Sequence, residues 1–325
     1  MIEENYLRSI DDPKGILDCY ETYGAVGITG VLSAQECAET VDDVKLIIKQ
    51  FGANEQFNIY DPNTFDNWPD MNKFINKPGV IGTLPIITKT LNRNRFHPNV
   101  KKAYSLIYGL PDDQLLAQFD RIGWMRPVLD KDGNKFPQYA TPLKEPGKHL
   151  DVNPSYYFDD SKADEVYSWL NKLTFDSLRH LISENNATNI KFGRHCIGVL
   201  NLIDNKYENG GFRFTPGGHK ITPSWYIRNQ KRLDYGSANG NYFFDEKDEE
   251  FLHSSRIPCP AGTLIIFDAA LPHGTLPNQT SDIRMVQFLR YMPKKLYNEK
   301  TLARRKKLIL NYCSKNGIEL DFMTP

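Results

Sequence analysis

The sequence lacks any excess of positive charge. Its 325 residues include 40 lysines and arginines against 40 aspartates and glutamates, so the formal net charge is zero. Proteins that bind nucleic acid or anionic lipid through charge carry a basic excess, because phosphate groups attract it. The composition therefore argues against nucleic acid and membrane surfaces as partners.

The sequence also lacks long apolar runs and paired cysteines. No stretch is long enough to cross a bilayer, and the polar segment MIEENYLRSIDDPKG has none of the apolar core of a signal peptide. The five cysteines are scattered without any CxxC pair, which argues against a disulfide framework and a thiolate zinc site. We therefore expect reduced thiols and a cytoplasmic protein. The oligomeric state is left open.

A strand followed by a helix is predicted near the start of the chain. The run GAVGITGVL (24–32) is rich in β-branched residues, and SAQE (33–36) is a capping box, whose serine and glutamate satisfy the free amides of a helix start. A second helix is predicted over 98–108. We expect residues 1–114 to form a helical and loop-rich flank.

From about residue 115 the pattern changes to short β-type runs separated by turn residues. These runs are QFDRIGWM, KFPQYA, HCIGVLNLI, GGFRFTPG, GTLIIFD and IRMVQFLRYM. Short strands at such spacing are typical of a sandwich or barrel of antiparallel sheets. We expect a single domain whose core spans 115–295, with a helix inserted over 163–182 and a C-terminal helix within 296–325.

Three residues have the chemistry of a metal site. His149 and Asp151 are two positions apart, so on an extended chain their side chains project to the same side. His273 directly follows an apolar strand that would hold it rigidly. Two histidines and one carboxylate bind a divalent first-row metal and leave positions open for other ligands. Taken alone, the HxD pair is weak evidence, because a surface histidine and aspartate in a loop explain it better.

Arg284 is a candidate for binding a second ligand of the same site. It lies eleven residues beyond His273 on the predicted strand IRMVQFLRY. The planar guanidinium fork suits a carboxylate such as the distal one of 2-oxoglutarate. Thr275 could add a hydroxyl to the same carboxylate.

In its ordered motifs the sequence resembles the phytanoyl-CoA dioxygenase-like family of iron(II)- and 2-oxoglutarate-dependent oxygenases. The motifs are YGAVGITGVLSAQE, GKHLDVNP, ENGGFRFTPGGHK and AGTLIIFDAALPHGTLPNQTSDIRMVQFLRYMP, and together they span most of the chain. The resemblance implies iron(II) bound by His149, Asp151 and His273, 2-oxoglutarate bound by Thr275 and Arg284, and dioxygen as the oxidant. The implied fold is mainly β with flanking helices, a double-stranded β-helix of the jelly-roll or cupin-like type.

Two positions depart from the family's pattern. HCIGVLNLID offers Leu200 where the family often has a tryptophan, and Asn201 would replace part of that contact with 2-oxoglutarate. FDRIGWMRP offers Arg121 where relatives tend to have an uncharged residue near the cosubstrate. Arg121 either binds an acidic substrate or pairs with Asp120 or another carboxylate.

The function implied by the resemblance is hydroxylation of an unactivated C–H bond of a small-molecule metabolite, with release of succinate and carbon dioxide. Two other classes stay open. One is a catalytically silent binding protein on the same barrel, and the other is a cupin-like zinc or manganese enzyme that does not use 2-oxoglutarate. The intact ligands count against the first class, and Arg284 counts against the second.

Two segments are predicted to be insertions that leave the barrel near the iron. We expect the second, 221–257, to be a loop that closes over the substrate, because it mixes aromatic and basic residues with Gly, Ser and Asn. The first, 155–190, contains the helix predicted over 163–182. That helix is explained about equally well by a lid, by packing on the sheet and by a dimer contact.

Overall fold

Two β-sheets organise the part of the chain that this computed structural model describes, namely residues 5–50, 56–58, 61–67, 75–76, 80–81, 84–129, 132–134, 147–233 and 241–318. The larger sheet contains β1 (Leu7–Ser9), β2 (Ala25–Thr29), β3 (Ile75–Asn76), β4 (Val80–Ile81), β5 (Leu115–Gln118), β6 (Ile122–Met125), β8 (Cys196–Asn201), β12 (Leu264–Asp268) and β14 (Arg284–Pro293). The smaller sheet contains β7 (His149–Leu150), β9 (Gly211–Phe214), β10 (Tyr242–Phe243), β11 (Ser255–Arg256) and β13 (His273–Leu276).

The strands pair as the sequence predicts, with antiparallel neighbours throughout the described ladders except for the parallel pair β1 and β2. The larger sheet has the order β1-β2-β12-β8-β14-β6-β4-β3, with β5 also paired to β14. The smaller sheet has the order β10-β7-β13-β9-β11. The fold is therefore a mixed one, in which two β-sheets form the centre.

The described helices surround these sheets. They are α1 (Pro13–Tyr23), α2 (Ala34–Gln50), α3 (Lys89–Phe96), α4 (Pro98–Tyr108), α5 (Pro154–Tyr157), α6 (Ala163–Lys172), α7 (Arg179–Ser183), α8 (Gly218–Leu233) and α9 (Glu299–Lys315). The helix predicted over 98–108 has the predicted bounds. Within the described residues, no helix is both long and apolar enough to cross a membrane.

The start of the chain follows the predicted strand and capping box. The Ser33 amide donates to the Glu36 carboxylate at 2.9 Å, and the Glu36 amide donates to the Ser33 hydroxyl at 3.2 Å. Val41 and Val44 of α2 are buried, as their spacing predicts. β2 lies between β1 and β12, so the N-terminal segment contributes strands to the larger sheet as well as helices.

The helix predicted over 163–182 is wrong in one respect, because the structure has two helices there. α6 ends at Lys172 and α7 begins at Arg179. Between them, the backbone of Phe175 has a φ of 51°, a left-handed conformation that a right-handed helix cannot include. The Phe175 ring is buried in a cluster with Leu181, so tertiary packing overrides the helical spacing of the leucines.

The loop predicted over 221–257 is also wrong for the described residues. α8 runs to Leu233, and the segment beyond it supplies β10 and β11 to the smaller sheet. Trp225 of α8 is buried against Phe244, with ring centroids 5.1 Å apart. The segment therefore builds the sheet that carries the proposed metal ligands. Residues 234–240, like the strand predicted at KFPQYA, lie outside the described residues.

Arg305 of α9 forms a buried ion pair with Glu184 and a hydrogen bond with the larger sheet. Arg305 Nε donates to both carboxylate oxygens of Glu184 at 2.9 Å, and Arg305 Nη2 donates to the Ala117 carbonyl at 2.6 Å. The Tyr297 hydroxyl donates to the same carboxylate at 3.2 Å. Glu184 is fully buried, so its charge has no access to solvent. Arg305, one of the basic residues of α9, is therefore buried and not exposed to solvent.

Substitution Arg305→Ala should lower the free energy of unfolding by about 3–5 kcal/mol, because it leaves the buried Glu184 carboxylate without its cation. Urea denaturation followed by circular dichroism measures this. The matched control is Lys306→Ala, at an exposed position of the same helix, which should change stability by less than about 0.5 kcal/mol. Equal stability of the two variants would show that the ion pair contributes nothing net.

Candidate metal centre

The three predicted metal ligands come together on the smaller sheet. His149 on β7 lies directly opposite His273 on β13 in antiparallel register, and their ring centroids are 4.5 Å apart. Asp151 follows β7 immediately. One ligand atom from each of the three residues lies within 4.8 Å of the others. The arrangement has the composition and the compactness of a site for one divalent metal ion.

The hydrogen bond of His273 leaves one of its ring nitrogens available for a metal ion. His273 Nδ1 lies 2.9 Å from the Leu271 carbonyl oxygen. Because a carbonyl oxygen can only accept, Nδ1 carries the proton and Nε2 keeps its lone pair. His273 Nε2 lies 3.8 Å from Asp151 Oδ2, and His149 Nε2 lies 3.3 Å from Asp151 Oδ1. The free imidazole nitrogen of His273 thus faces the carboxylate.

The protonation states also fit a metal centre. Burial, together with the neighbouring His149, lowers the pKa of His273 to about 4. Burial alone would raise the pKa of Asp151, but the hydrogen bond with His149 and the charge of Arg290 hold it well below its usual range. At neutral pH the chain therefore presents a neutral imidazole and an ionised carboxylate, the forms that bind metal ions.

Aromatic rings enclose one side of the site and leave the other side accessible. Phe267 and Phe212 are buried and pack on His273, with ring centroids 4.3 and 5.9 Å from it. Phe243 of β10 lies opposite His149 in the ladder, 5.3 Å from its ring, yet 68% of its surface is exposed. An exposed phenylalanine beside a metal ligand is a candidate wall for a bound organic molecule.

Arg284 is a buried cation that lacks a buried anion. It is only 7% exposed at the start of β14, and no carboxylate among the described residues lies within ion-pair distance of it. Its Nη1 lies 3.3 Å from the Met125 sulfur, and its Nε has no hydrogen-bond partner in the described part of the chain. Burial lowers its pKa to about 10, so it remains charged at neutral pH. A buried guanidinium in this state favours a carboxylate ligand.

Thr275 and Asn201 are placed differently. Thr275 lies on β13 two residues after His273, so its side chain is on the same face of the strand, and it is exposed. Asn201 is buried on β8 opposite Val286, which shares a face of β14 with Arg284. Its side-chain amide lies 3.3 Å from the Thr263 carbonyl oxygen. Their contact with 2-oxoglutarate stays a prediction.

Arg121 pairs with Asp120, which is one of its two predicted interpretations. Its Nε donates to Asp120 Oδ1 at 3.2 Å. Asp120 also lies 3.5 Å from Nε of Arg290, and Arg290 Nη2 donates to Asp151 at 3.1 Å. Arg121 is therefore the outer member of a chain of charges that leads to the metal site.

Two further residues, which are not among the predicted site residues, contact Asp151. Arg290 is one of them, and Asn241, whose side-chain amide lies 3.4 Å from Asp151 Oδ1, is the other. A signal for Arg290 exists, because it is six residues beyond Arg284 on one strand, and an even separation places both side chains on the same face. Asn241 has no comparable signal, since its position depends on the pairing of β10 with β7.

Comparisons with known proteins agree on one family. A sequence model of the phytanoyl-CoA dioxygenase family matches residues 179–286, a range that includes His273 and Arg284. A protein of Dictyostelium discoideum, whose name provisionally assigns it to the phytanoyl-CoA dioxygenases, is 30% identical over 308 residues, which cover 93% of this chain and 82% of that protein.

Two solved structures share the fold. The GlcNAc inducible gene 2 protein of Candida albicans superposes with a TM-score of 0.59 at 16% identity, over 89% of this chain and 66% of that one. A hypothetical protein of Escherichia coli superposes with a TM-score of 0.58 at 14% identity, over 92% of this chain and 74% of that one. At these identities the likeness is one of fold alone.

Proposed function

This chain belongs to the phytanoyl-CoA dioxygenase family, and from that premise we propose that it is an iron(II)- and 2-oxoglutarate-dependent dioxygenase that hydroxylates an unactivated C–H bond of a small-molecule metabolite. The observation that carries the proposal is the convergence of His149, Asp151 and His273 within 4.8 Å, in one open cluster. A set of two histidines and one carboxylate is the ligand set that leaves room for a keto acid and dioxygen.

Arg284 is buried and has no ion-pair partner among the described residues, which favours 2-oxoglutarate over the chemistry of a cupin-like enzyme. A cupin-like zinc or manganese enzyme without a dicarboxylate cosubstrate has no need for an isolated guanidinium in the interior. Keeping such a cation out of water costs free energy unless an anion binds it. We therefore assign the distal carboxylate of 2-oxoglutarate to Arg284, with Thr275 and Asn201 as further contacts.

The residues of the site divide the proposed reaction's tasks among them. When bound, iron(II) and 2-oxoglutarate supply the oxidising chemistry, in which dioxygen is consumed and the keto acid becomes succinate and carbon dioxide. His149, Asp151 and His273 hold the metal. Arg284 orients the cosubstrate, and the buried rings of Phe212 and Phe267 keep water away from His273.

The architecture fits the same proposal. We propose that the two sheets are the two halves of a double-stranded β-helix of the jelly-roll type, and that the chain is one oxygenase domain with 115–295 as its core. In this arrangement the smaller sheet supplies the metal ligands, and β14 of the larger sheet supplies Arg284. The segment 155–190 and the helix α8 are then additions to the core.

A metabolite extract, split into fractions, tests the proposed function. The purified protein with iron(II) and 2-oxoglutarate should form succinate slowly when no extract is added. With the fraction that contains its substrate, succinate should form at least about tenfold faster, because substrate binding couples the decarboxylation of 2-oxoglutarate to the oxidation of the substrate. A catalytically silent binding protein predicts no succinate with any fraction, and that result would reject the proposal.

A further inference from the structure

Arg290 is a buried arginine beside the metal site, and the function proposed above gives it no role. It lies on β14, on the same face as Arg284, and is 9% exposed. Its Nη2 donates to Asp151 Oδ2 at 3.1 Å, and its Nε lies 3.5 Å from Asp120 Oδ2. The guanidinium therefore lies between two carboxylates, only one of which is a proposed metal ligand.

The second carboxylate fixes the direction of the guanidinium. Asp120 is 3% exposed, and its Oδ1 accepts from the Arg121 backbone amide at 2.7 Å. Its Oδ2 accepts from the Asn185 side-chain amide at 3.3 Å. These amides and the Arg121 guanidinium, whose Nε donates to Oδ1 at 3.2 Å, hold the Asp120 carboxylate on one side, and the carboxylate holds the Arg290 fork on the other. Arg290 consequently approaches Asp151 from the larger sheet, opposite the strands that carry the histidines.

The two oxygens of Asp151 have different partners. Oδ2 accepts a charge-assisted hydrogen bond from Arg290 at 3.1 Å and lies 3.8 Å from His273 Nε2. Oδ1 lies 3.3 Å from His149 Nε2 and accepts only a longer hydrogen bond, 3.4 Å, from the neutral side-chain amide of Asn241. A carboxylate can bind a metal ion through one oxygen or through both, and binding through both would occupy one of the positions that a keto acid and dioxygen need.

We propose that Arg290 is a positioning residue that reserves Asp151 Oδ2, so that Asp151 offers a metal ion a single oxygen. The inference rests on the proposed function and deepens it. Arg290 on this account touches neither substrate nor metal. It acts through Asp151, by keeping open the coordination position that the cosubstrate requires.

Loss of Arg290 affects metal affinity in two ways, through charge and through the orientation of Asp151. Removing a cation near a divalent ion reduces repulsion and tightens metal binding, but the pairing of Arg290 with Asp120 cancels much of that field. Freeing Oδ2 allows a second bond to the metal, which also tightens binding. Loss of Arg290 should therefore leave metal affinity unchanged or higher, while the affinity for 2-oxoglutarate falls because a position is lost.

The test uses redox-inert Mn(II) and needs no turnover. Calorimetry should give Arg290→Met a Mn(II) dissociation constant within about threefold of the unmodified protein or tighter. The 2-oxoglutarate dissociation constant of the Mn(II)-loaded variant should be roughly tenfold or more weaker, the usual scale for outer-shell residues. Arg290→Lys keeps one donor and the charge, so it should recover part of the loss. Arg194→Met is the control, since Arg194 pairs with Glu21 instead.

Three results would overturn the inference. If Arg290→Met weakens Mn(II) and 2-oxoglutarate binding together, Arg290 only supports the ligand set. If it changes neither constant, Arg290 has no influence on the site. If Arg290→Met does not fold, the test rests on Arg290→Lys, and an unchanged 2-oxoglutarate dissociation constant in that variant would overturn the inference. Failure of the unmodified Mn(II)-loaded protein to bind 2-oxoglutarate at all would instead reject the proposed function.

Discussion

Replacement of His149, Asp151 or His273 by alanine should each abolish iron binding and succinate formation while the fold survives. The reason is that two remaining ligands bind iron(II) too weakly to retain it when the free metal is removed. Iron content after desalting measures the loss, and circular dichroism reports whether the fold is intact. Asp151→Ala is the most informative of the three, because it removes the one charged ligand and also leaves Arg290 without a partner at the site.

The matched control uses another histidine and aspartate pair. His180 Nδ1 lies 3.2 Å from Asp176 Oδ1 near α7, outside the metal cluster. His180→Ala should keep iron content and succinate formation, since no third ligand lies beside this pair in the part of the chain that the structure describes. Full oxygenase activity in Asp151→Ala would contradict the assignment of the ligands.

Substitution Arg284→Ala should weaken 2-oxoglutarate binding by about 2–5 kcal/mol, the range for removing one partner of a buried charge pair. Arg284→Lys should recover little, because an ammonium group cannot reproduce the fork of two parallel hydrogen bonds. The KM for 2-oxoglutarate and calorimetry on the Mn(II)-loaded protein both measure the effect. Iron binding should be unchanged, since Arg284 is not a ligand.

A control for Arg284 is available on the smaller sheet. Arg256 of β11 is half-buried and stacks on the Tyr207 ring, 4.2 Å from its centroid. Arg256→Ala should leave the 2-oxoglutarate affinity unchanged. An unaltered affinity in both Arg284 variants would remove this arginine from the cosubstrate site, and the buried guanidinium would then need another anion.

Local features of the fold could be predicted because their causes are local. The capping box of Ser33 and Glu36, the helix over 98–108 and the β-rich runs each depend on residues a few positions apart. The predictions over 163–182 and 221–257 were wrong where distant contacts decide. The helix predicted over 163–182 is interrupted at Phe175, whose ring joins a core cluster. The loop predicted over 221–257 contains β10, which pairs with β7.

The candidate site divides in the same way. The spacing of His149 and Asp151, and the place of His273 after an apolar strand, predicted a cluster that the structure does bring together. The pairing of Arg121 with Asp120 was one of two open alternatives, and only the structure shows that this pair extends to Asp151 through Arg290. Such a chain joins residues from three separate parts of the sequence.

Isotope labelling under ¹⁸O₂ tests the central claim, that this chain is an iron(II)- and 2-oxoglutarate-dependent oxygenase. The iron-loaded protein should convert 2-oxoglutarate into succinate that carries one labelled oxygen atom, because oxidative decarboxylation transfers one atom of dioxygen to the new carboxylate. The Asp151→Ala variant should form none. Succinate without label, or equal amounts from the two proteins, would contradict the account.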